Sequence, residues 1–254
     1  MIRKSTIIVA LAAVVLLVGT SCDTLVTLDK PNVAYEAVNS GATLRLTWTA
    51  ITDAKSYEIK TAESTYNTVS TSFDVIYPTT SIEVRAINGS DQSDAFTLNC
   101  AAVPTGSITV YGKSDPETSH PSGIGFNTDG TAIAVSVDNQ ASSVEFVMDD
   151  VVHSGEMWLM SPIAYTPELN PWGNASQDAG AEFDAVTIAP GTGNYNTQQA
   201  LAQNGNYAAW LDHNNDSSID ANDHFAKLKI LSINGTVVTV KLAYQKIGGL
   251  RWLK

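Results

Sequence analysis

Hydrophobic and polar residues alternate along much of this chain with a period of two. In residues 42–50, Leu44, Leu46 and Trp48 fall on one side, and Thr43, Arg45, Thr47 and Thr49 on the other. The pattern returns in 56–62 with Tyr57 and Ile59, in 72–77, and in 81–87 with Ile82, Val84 and Ala86. Successive side chains of a strand point to opposite faces, so each set supplies one buried face of a sheet. Further strands are predicted at 107–111, 131–138, 143–149, 156–160, 183–188 and 207–211. Near the end, 225–233 alternates Ala226, Leu228 and Ile230, and 236–245 alternates Val238, Val240, Leu242 and Tyr244. Asn234-Gly235 lies between them and predicts a tight hairpin centred on that pair. Helical periodicity is nearly absent, and only 196–204 reads as a helix candidate, of roughly two turns. The chain is therefore expected to be all-β. A β-sandwich is expected over 31–103 and a second, mainly antiparallel β domain over 104–254, divided at Val103-Pro104-Thr105-Gly106. The short apolar end at 248–253, with Trp252, is expected to dock against a sheet.

The first domain carries a resemblance in particular residues. Pro31, the LRLTWTA run with Trp48, the short Asp53-Ala54 loop, SYEIKTA with Tyr57, and SIEVRAINGSDQS together resemble a fibronectin type III domain. The resemblance implies that Trp48 packs the core. It also implies that Val84, Arg85, Ala86, Asn88, Gly89 and Ser90 form the penultimate strand and its exit turn. Ile82 departs from the family, which usually carries Tyr there. Domains of this kind serve mostly as spacers or protein-binding modules, with no chemistry of their own.

Residues 1–22 read MIRKSTIIVALAAVVLLVGTSC. Arg3 and Lys4 precede an apolar run, 7–18, of about 12 residues, short of the ~20 that span a bilayer. Residues 1–21 thus read as a removable export signal. Gly19-Thr20-Ser21-Cys22 resembles the lipobox of bacterial lipoproteins, with Gly19 where the family usually has an aliphatic residue. The resemblance implies acylation of Cys22, a tether over 22–30, and a body held outside the cytoplasm on a membrane of the bacterial cell envelope. Whether that membrane is inner or outer stays open. Gly19 and Ser21 also satisfy the small-x-small rule for simple cleavage after Ser21, which leaves free secretion as the alternative.

Charge narrows the partners. The chain has 14 Lys and Arg against 26 Asp and Glu, net −12, and loss of Arg3 and Lys4 with the leader takes it to −14. Such a surface excludes nucleic acid, which demands basic neutralising groups. It also excludes electrostatic docking to anionic lipid, so membrane attachment falls to acyl chains. With Cys22 lipidated, Cys100 has no partner for a disulfide and is expected to be a small buried apolar residue.

One segment has the spacing of a chemical site. Residues 212–223, DHNNDSSIDAND, place Asp212, Asn214, Asp216, Asp220 and Asp223 at loop positions one, three, five, nine and twelve. Ser218 at position seven would offer its backbone carbonyl, and Ile219 follows at position eight. Calcium takes six to eight hard oxygens at about 2.3–2.6 Å, and alternate residues of a tightly wound loop supply them. The pattern resembles an EF-hand calcium loop, most closely the dockerin version with Asp at the last position. Ser217 replaces the usual Gly at position six, where φ > 0 is required at a cost of about 1 kcal/mol. Strand-like flanks replace the two helices, which points to a static structural Ca²⁺ site. The competing reading is an Asx-rich turn that caps strands.

The remaining candidates are weaker. His120, His153, His213 and His224 are scattered, with no metal-ligand grouping. Asp149 and Asp150 point to opposite strand faces, and no nucleophile, phosphate-loop or paired-cysteine motif is present. Trp158, Tyr165, Trp172 and Trp210 lie in Asn-rich surroundings that suit either sugar stacking or ordinary packing. The expected function is a non-enzymatic, lipid-anchored envelope protein that binds a protein or glycan partner. A faint likeness of 224–230 and 241–245 to the closing strands of HmuY-type haem-scavenging lipoproteins gives capture of a small ligand such as haem as the alternative. The leader generates a test: intact mass of the membrane-extracted protein should show fatty acyl chains on Cys22, and Cys22→Ser should abolish them and release the protein from the membrane fraction.

Overall fold

The computed structural model describes residues 26–254 apart from 140, 167, 168 and 170; the expected export signal at 1–21 and Cys22 lie outside the described residues. The first sandwich contains β1 (Val33–Val38), β2 (Thr43–Trp48), β3 (Ser56–Thr61), β4 (Thr65–Thr68), β5 (Ser72–Val75), β6 (Ser81–Asn88), β7 (Asp91–Gln92) and β8 (Phe96–Asn99). One sheet runs β1-β2-β5 and the other β4-β3-β6, with β7 and β8 both paired to β6. The alternation explains the arrangement. Leu44, Leu46 and Trp48 point inward from β2 and meet Tyr57, Ile59, Ile82, Val84 and Ala86 from β3 and β6. Trp48 sits edge-on to Tyr57 at 5.1 Å, and the Tyr57 hydroxyl accepts the Ile51 N–H at 2.8 Å. The result is an antiparallel β-sandwich in which Ile82 is fully buried. Cys100 closes this core as a free thiol, its pKa pushed up to about 12 by burial.

The second domain contains β9 (Val103–Tyr111), β10 (Gly123–Phe126), β11 (Ala132–Val135), β12 (Phe146–Asp149), β13 (Trp158–Met160), β14 (Ala175–Asp178), β15 (Gln198–Ala200), β16 (Asn206–Leu211), β17 (His224–Asn234) and β18 (Val237–Gln245). Its sheets run β14-β16-β17-β18-β9 and β11-β10-β12-β13-β15. Their facing sides interlock Leu211, Leu228, Ile230, Val238, Val240 and Leu242 with Ile124, Phe146, Met148 and Leu159. The protein is all-β, and among the described residues no helix is long and apolar enough to cross a membrane.

Three local expectations are corrected. Residues 196–204 are not helical: Gln198–Ala200 is strand β15, paired with Trp158–Met160. Two isolated helical turns gain too little to offset nucleation, whereas an open sheet edge offers ladder hydrogen bonds at once. Residues 183–188 do not form a strand; Phe183–Ala185 is a 3₁₀ turn lying across the outer face of the β16-β17-β18 sheet. There Phe183 and Val186 are buried, and the Lys227 ammonium donates to the Val186 carbonyl at 2.9 Å. The hairpin forms but is centred one residue later. Asn234 pairs with Val237, so Gly235 and Thr236 make the loop, with Gly235 at φ +60°. A bulge between Ile230 and Ser232 adds one residue to β17 and moves the register to a loop with glycine at its first central position.

The apolar end does dock, and its seat is the first sandwich. Leu250 and Trp252 are fully buried among Leu44, Trp48 and Cys100. The Trp252 indole donates to the Ala42 carbonyl at 3.1 Å, and the Arg251 N–H donates to the Gly41 carbonyl at 3.0 Å. Buried Gln245 satisfies its whole amide at this junction. It donates to the Cys100 and Trp252 carbonyls at 3.0 and 2.8 Å and accepts the Ile247 N–H at 2.9 Å. Lys254 ion-pairs with Glu63. Removing a buried Trp from a core of this kind costs about 3–5 kcal/mol. Trp252→Ala should therefore destabilise the protein by that amount, seen as a lower urea midpoint in far-ultraviolet circular dichroism.

Candidate metal centre

β16 delivers the chain to the loop at Leu211, and β17 takes it away at His224. Between them the loop is wound by its own side chains. Asp212, almost fully buried, accepts the Asp216 N–H on one carboxylate oxygen at 3.3 Å and the Ser217 N–H on the other at 3.0 Å. Asp216 accepts the Ser218 N–H at 2.7 Å, and Asp220 accepts the Asn222 N–H at 2.7 Å. Asp223 accepts the Asp220 N–H at 2.9 Å. Asx side chains bonded two to five residues onward force a tight coil. Ser217, at position six, takes φ +61°, the left-handed conformation its place in the spacing demands, and Asn215 takes φ +53°.

Asn214, Asp216 and Asp220 are brought together. The Asn214 amide nitrogen lies 3.0 Å from one Asp216 oxygen and 2.9 Å from one Asp220 oxygen. It stands at the point on which the two carboxylates converge and supplies partial positive charge there. Amide nitrogen and oxygen are interchangeable by a half-turn of the side chain. That turn would present three oxygens to one point. Asp223 lies fully buried at the base of the loop with one oxygen, Oδ1, lacking any hydrogen-bond partner. Burial pushes its pKa up to about 6. The Asp220 N–H opposes the rise, as does the nearby Trp210 indole, whose N–H falls outside hydrogen-bond geometry, while Asp212 and Asp220 add repulsion. Ser218 is in the same turn, tied through its N–H to Asp216. Among the described residues no three His, Cys, Asp or Glu side chains stand in a metal-holding arrangement. The carboxylates are instead spent on amide donors.

A polar and aromatic wall backs the loop. His213 Nε2 is 3.0 Å from Glu145, and the Trp172 ring stacks on the imidazole at 4.2 Å. Buried Asn174 donates to the same Glu145 carboxylate at 2.8 Å. Burial works against the His213 imidazolium, but Glu145, with Asp223 and Asp212 behind it, outweighs that and raises its pKa. His224 lies 6.0 Å from His213 between ring centres, and burial lowers its pKa. Gly173 donates to the Asp212 carbonyl at 2.9 Å, and a Cβ there would collide with Asn215. Sequence spacing missed this wall: Glu145 and His213 are 68 positions apart, and no local pattern marks the pair.

The other candidates are occupied elsewhere. His120 bonds Asp115 at 2.8 Å and stacks on Tyr111; His153 bonds Gln198 at 3.0 Å and stacks on Trp158. Asp149 and Asp150 are both buried, and Asp150 accepts the Ser114 N–H at 2.9 Å. Trp210 packs between Tyr195 and Phe225.

No protein-family model matches the sequence, and no curated protein matches it. Among solved structures, an FN3tt mutant is 25% identical over 28% of this chain and 92% of its own, with a TM-score of 0.25. A DUF4466 family protein from Parabacteroides merdae is 9% identical over 88% of this chain and 100% of its own, with a TM-score of 0.38. A family 64 laminaripentaose-producing β-1,3-glucanase from Paenibacillus barengoltzii is 10% identical over 81% of this chain and 57% of its own, with a TM-score of 0.19.

The strained position gives a direct test of the loop's winding. Glycine takes φ near +60° without the Cβ penalty, so Ser217→Gly should stabilise the protein by about 0.5–1 kcal/mol, seen as a higher urea midpoint.

Proposed function

We propose that this chain is a non-enzymatic, lipid-anchored binding or scaffold protein of the bacterial cell envelope, with one structural Ca²⁺ held by residues 212–223. The buried, unpartnered Asp223 oxygen carries the calcium reading. A buried carboxylate oxygen whose nearest donor, the Trp210 indole, stands outside hydrogen-bond geometry is poorly compensated, and a hard cation would remove that cost. The convergence of Asp216 and Asp220 on the Asn214 amide supports the same ion. Asp212, Asn214, Asp216, Asp220 and Asp223 would hold it by side chains and Ser218 by its carbonyl. In a millimolar-calcium exterior, modest affinity suffices for such a site.

The first sandwich, taken as a fibronectin type III domain, would act as spacer and contact surface. Tyr66, Ile76 and Tyr77 are exposed around a groove of about 370 Å³ beside β4 and β5, each at the open edge of its sheet. Clustered exposed apolar side chains on a polar body suit a protein or glycan partner. Acyl chains on Cys22 would fix the assembly to its membrane.

Thermal melting of the mature chain tests the ion. A ligand at 100 times its dissociation constant adds about 2.7 kcal/mol, or roughly 5–11 °C for a protein of this size. Calcium should raise the melting temperature by that much over EGTA, and Asp212→Ala should erase the difference between the two conditions. Identical curves with and without calcium in the parent protein would reduce the loop to a polar turn.

A further inference from the structure

We propose that the loop at 212–223, the segment 246–254 and the 39–42 turn of the first sandwich form one calcium-governed clamp, so that the ion sets how firmly the two sandwiches hold each other. The proposal rests on the calcium reading above and assigns that ion a second consequence, outside the loop itself.

Three layers of backbone meet at this point, with a glycine at each contact. The Gly249 N–H donates to the Asp223 carbonyl at 2.8 Å. A Cβ on Gly248 would run into the Ala221 carbonyl. Gly249 has φ +70°, and a Cβ there would lie 2.7 Å from the Asp220 carbonyl oxygen and 3.4 Å from the Ala37 side chain. Gly41 has φ +77°, and its Cβ would collide with the Gly249 carbonyl. No side chain fits between the loop and the 246–254 segment, the strap, or between that strap and the 39–42 turn. The contact is backbone on backbone, which leaves little slack for one layer to move alone.

The strap therefore sits on the last four residues of the loop. Asp220 and Asp223 are ligand positions nine and twelve, while their carbonyls, with that of Ala221, form the seat of Gly248 and Gly249. Beyond the glycines, Arg251 continues the clamp. Its N–H donates to the Gly41 carbonyl at 3.0 Å, its Nε to the Ser40 carbonyl at 2.7 Å, and its guanidinium also reaches the Ala189 carbonyl at 2.7 Å. Trp252 then enters the first core. An ion that draws Asp220 and Asp223 toward Asp212 and Asp216 fixes the 220–223 turn and, with it, the seat. Without the ion, four carboxylates within one short loop repel, and the seat loosens. Such coupling between sites is reciprocal and typically amounts to about 5- to 150-fold.

Two readouts on the full mature chain separate the ion from the clamp. Terbium luminescence, sensitised by Trp210 and Trp172, reports binding at the loop. Amide hydrogen exchange at Gly249 and Arg251 reports the strap. Calcium should slow exchange at both amides by at least about 5-fold relative to EGTA. Gly248→Ala, whose Cβ would part the strap from the Ala221 carbonyl, should abolish the slowing and, by reciprocity, weaken terbium binding by about 5-fold. Arg251→Ala, which removes the guanidinium bonds to Ser40 and Ala189 and loosens the strap on the 39–42 turn without touching the loop, should weaken terbium binding by about 5-fold. Terbium binding with unchanged exchange, or unchanged affinity in Arg251→Ala, overturns the clamp and leaves the calcium site standing. Absence of terbium and calcium binding overturns both.

Discussion

Trp252 has no exposed surface, yet the core that covers it belongs to residues 28–100, more than 150 positions earlier in the chain. That burial is what makes one object of two sandwiches. Each sandwich has its own alternating strands, but the first is completed by an indole and a leucine that arrive from beyond β18. Once Trp252 is seated, Arg251 must meet the 39–42 turn and Gln245 must span Cys100 and Trp252. Gly248 and Gly249 are then pressed onto the acidic loop. Position after position follows from one buried ring, because interiors packed to crystal-like density transmit displacement instead of absorbing it.

The acidic loop shows the opposite economy. Its order comes from carboxylates turned back on their own backbone, and it is wound tightly enough to hold Ser217 in a left-handed conformation. Buried negative charge on a protein already at −12 disfavours the folded state unless something answers it. Backbone N–H groups answer for most of the oxygens, and the Asn214 amide answers for two more. Asp223 Oδ1 is left over. On the calcium reading proposed above, a bound cation would answer it.

What could be read from the residues alone was what is local. The inner faces of β2, β3, β6, β17 and β18 were legible because a period of two needs only neighbours along the chain. The winding of 212–223 was legible for the same reason, down to the positive φ at Ser217. Elements governed by distant partners were not. Thr65–Thr68 has no buried face and is a strand because β3 offers it an edge. Gln198–Ala200 looks helical by composition and is recruited by β13. The Asn-Gly pair marked the hairpin, but a bulge four residues upstream decided its centre. At the loop, the oxygen spacing was visible in sequence, while the Glu145, Asn174 and Trp172 wall is assembled by sheet pairing across dozens of residues.

The long reach of Trp252 also dictates an order of events. Its bond to Ala42 joins residues 210 apart, among the largest separations this chain allows. Domains synthesised first ordinarily fold first, as the chain emerges. Here the core of the leading sandwich includes Leu250 and Trp252, so it is complete only once residues from beyond β18 are in place. The last step in consolidating the first core is therefore the seating of Leu250 and Trp252.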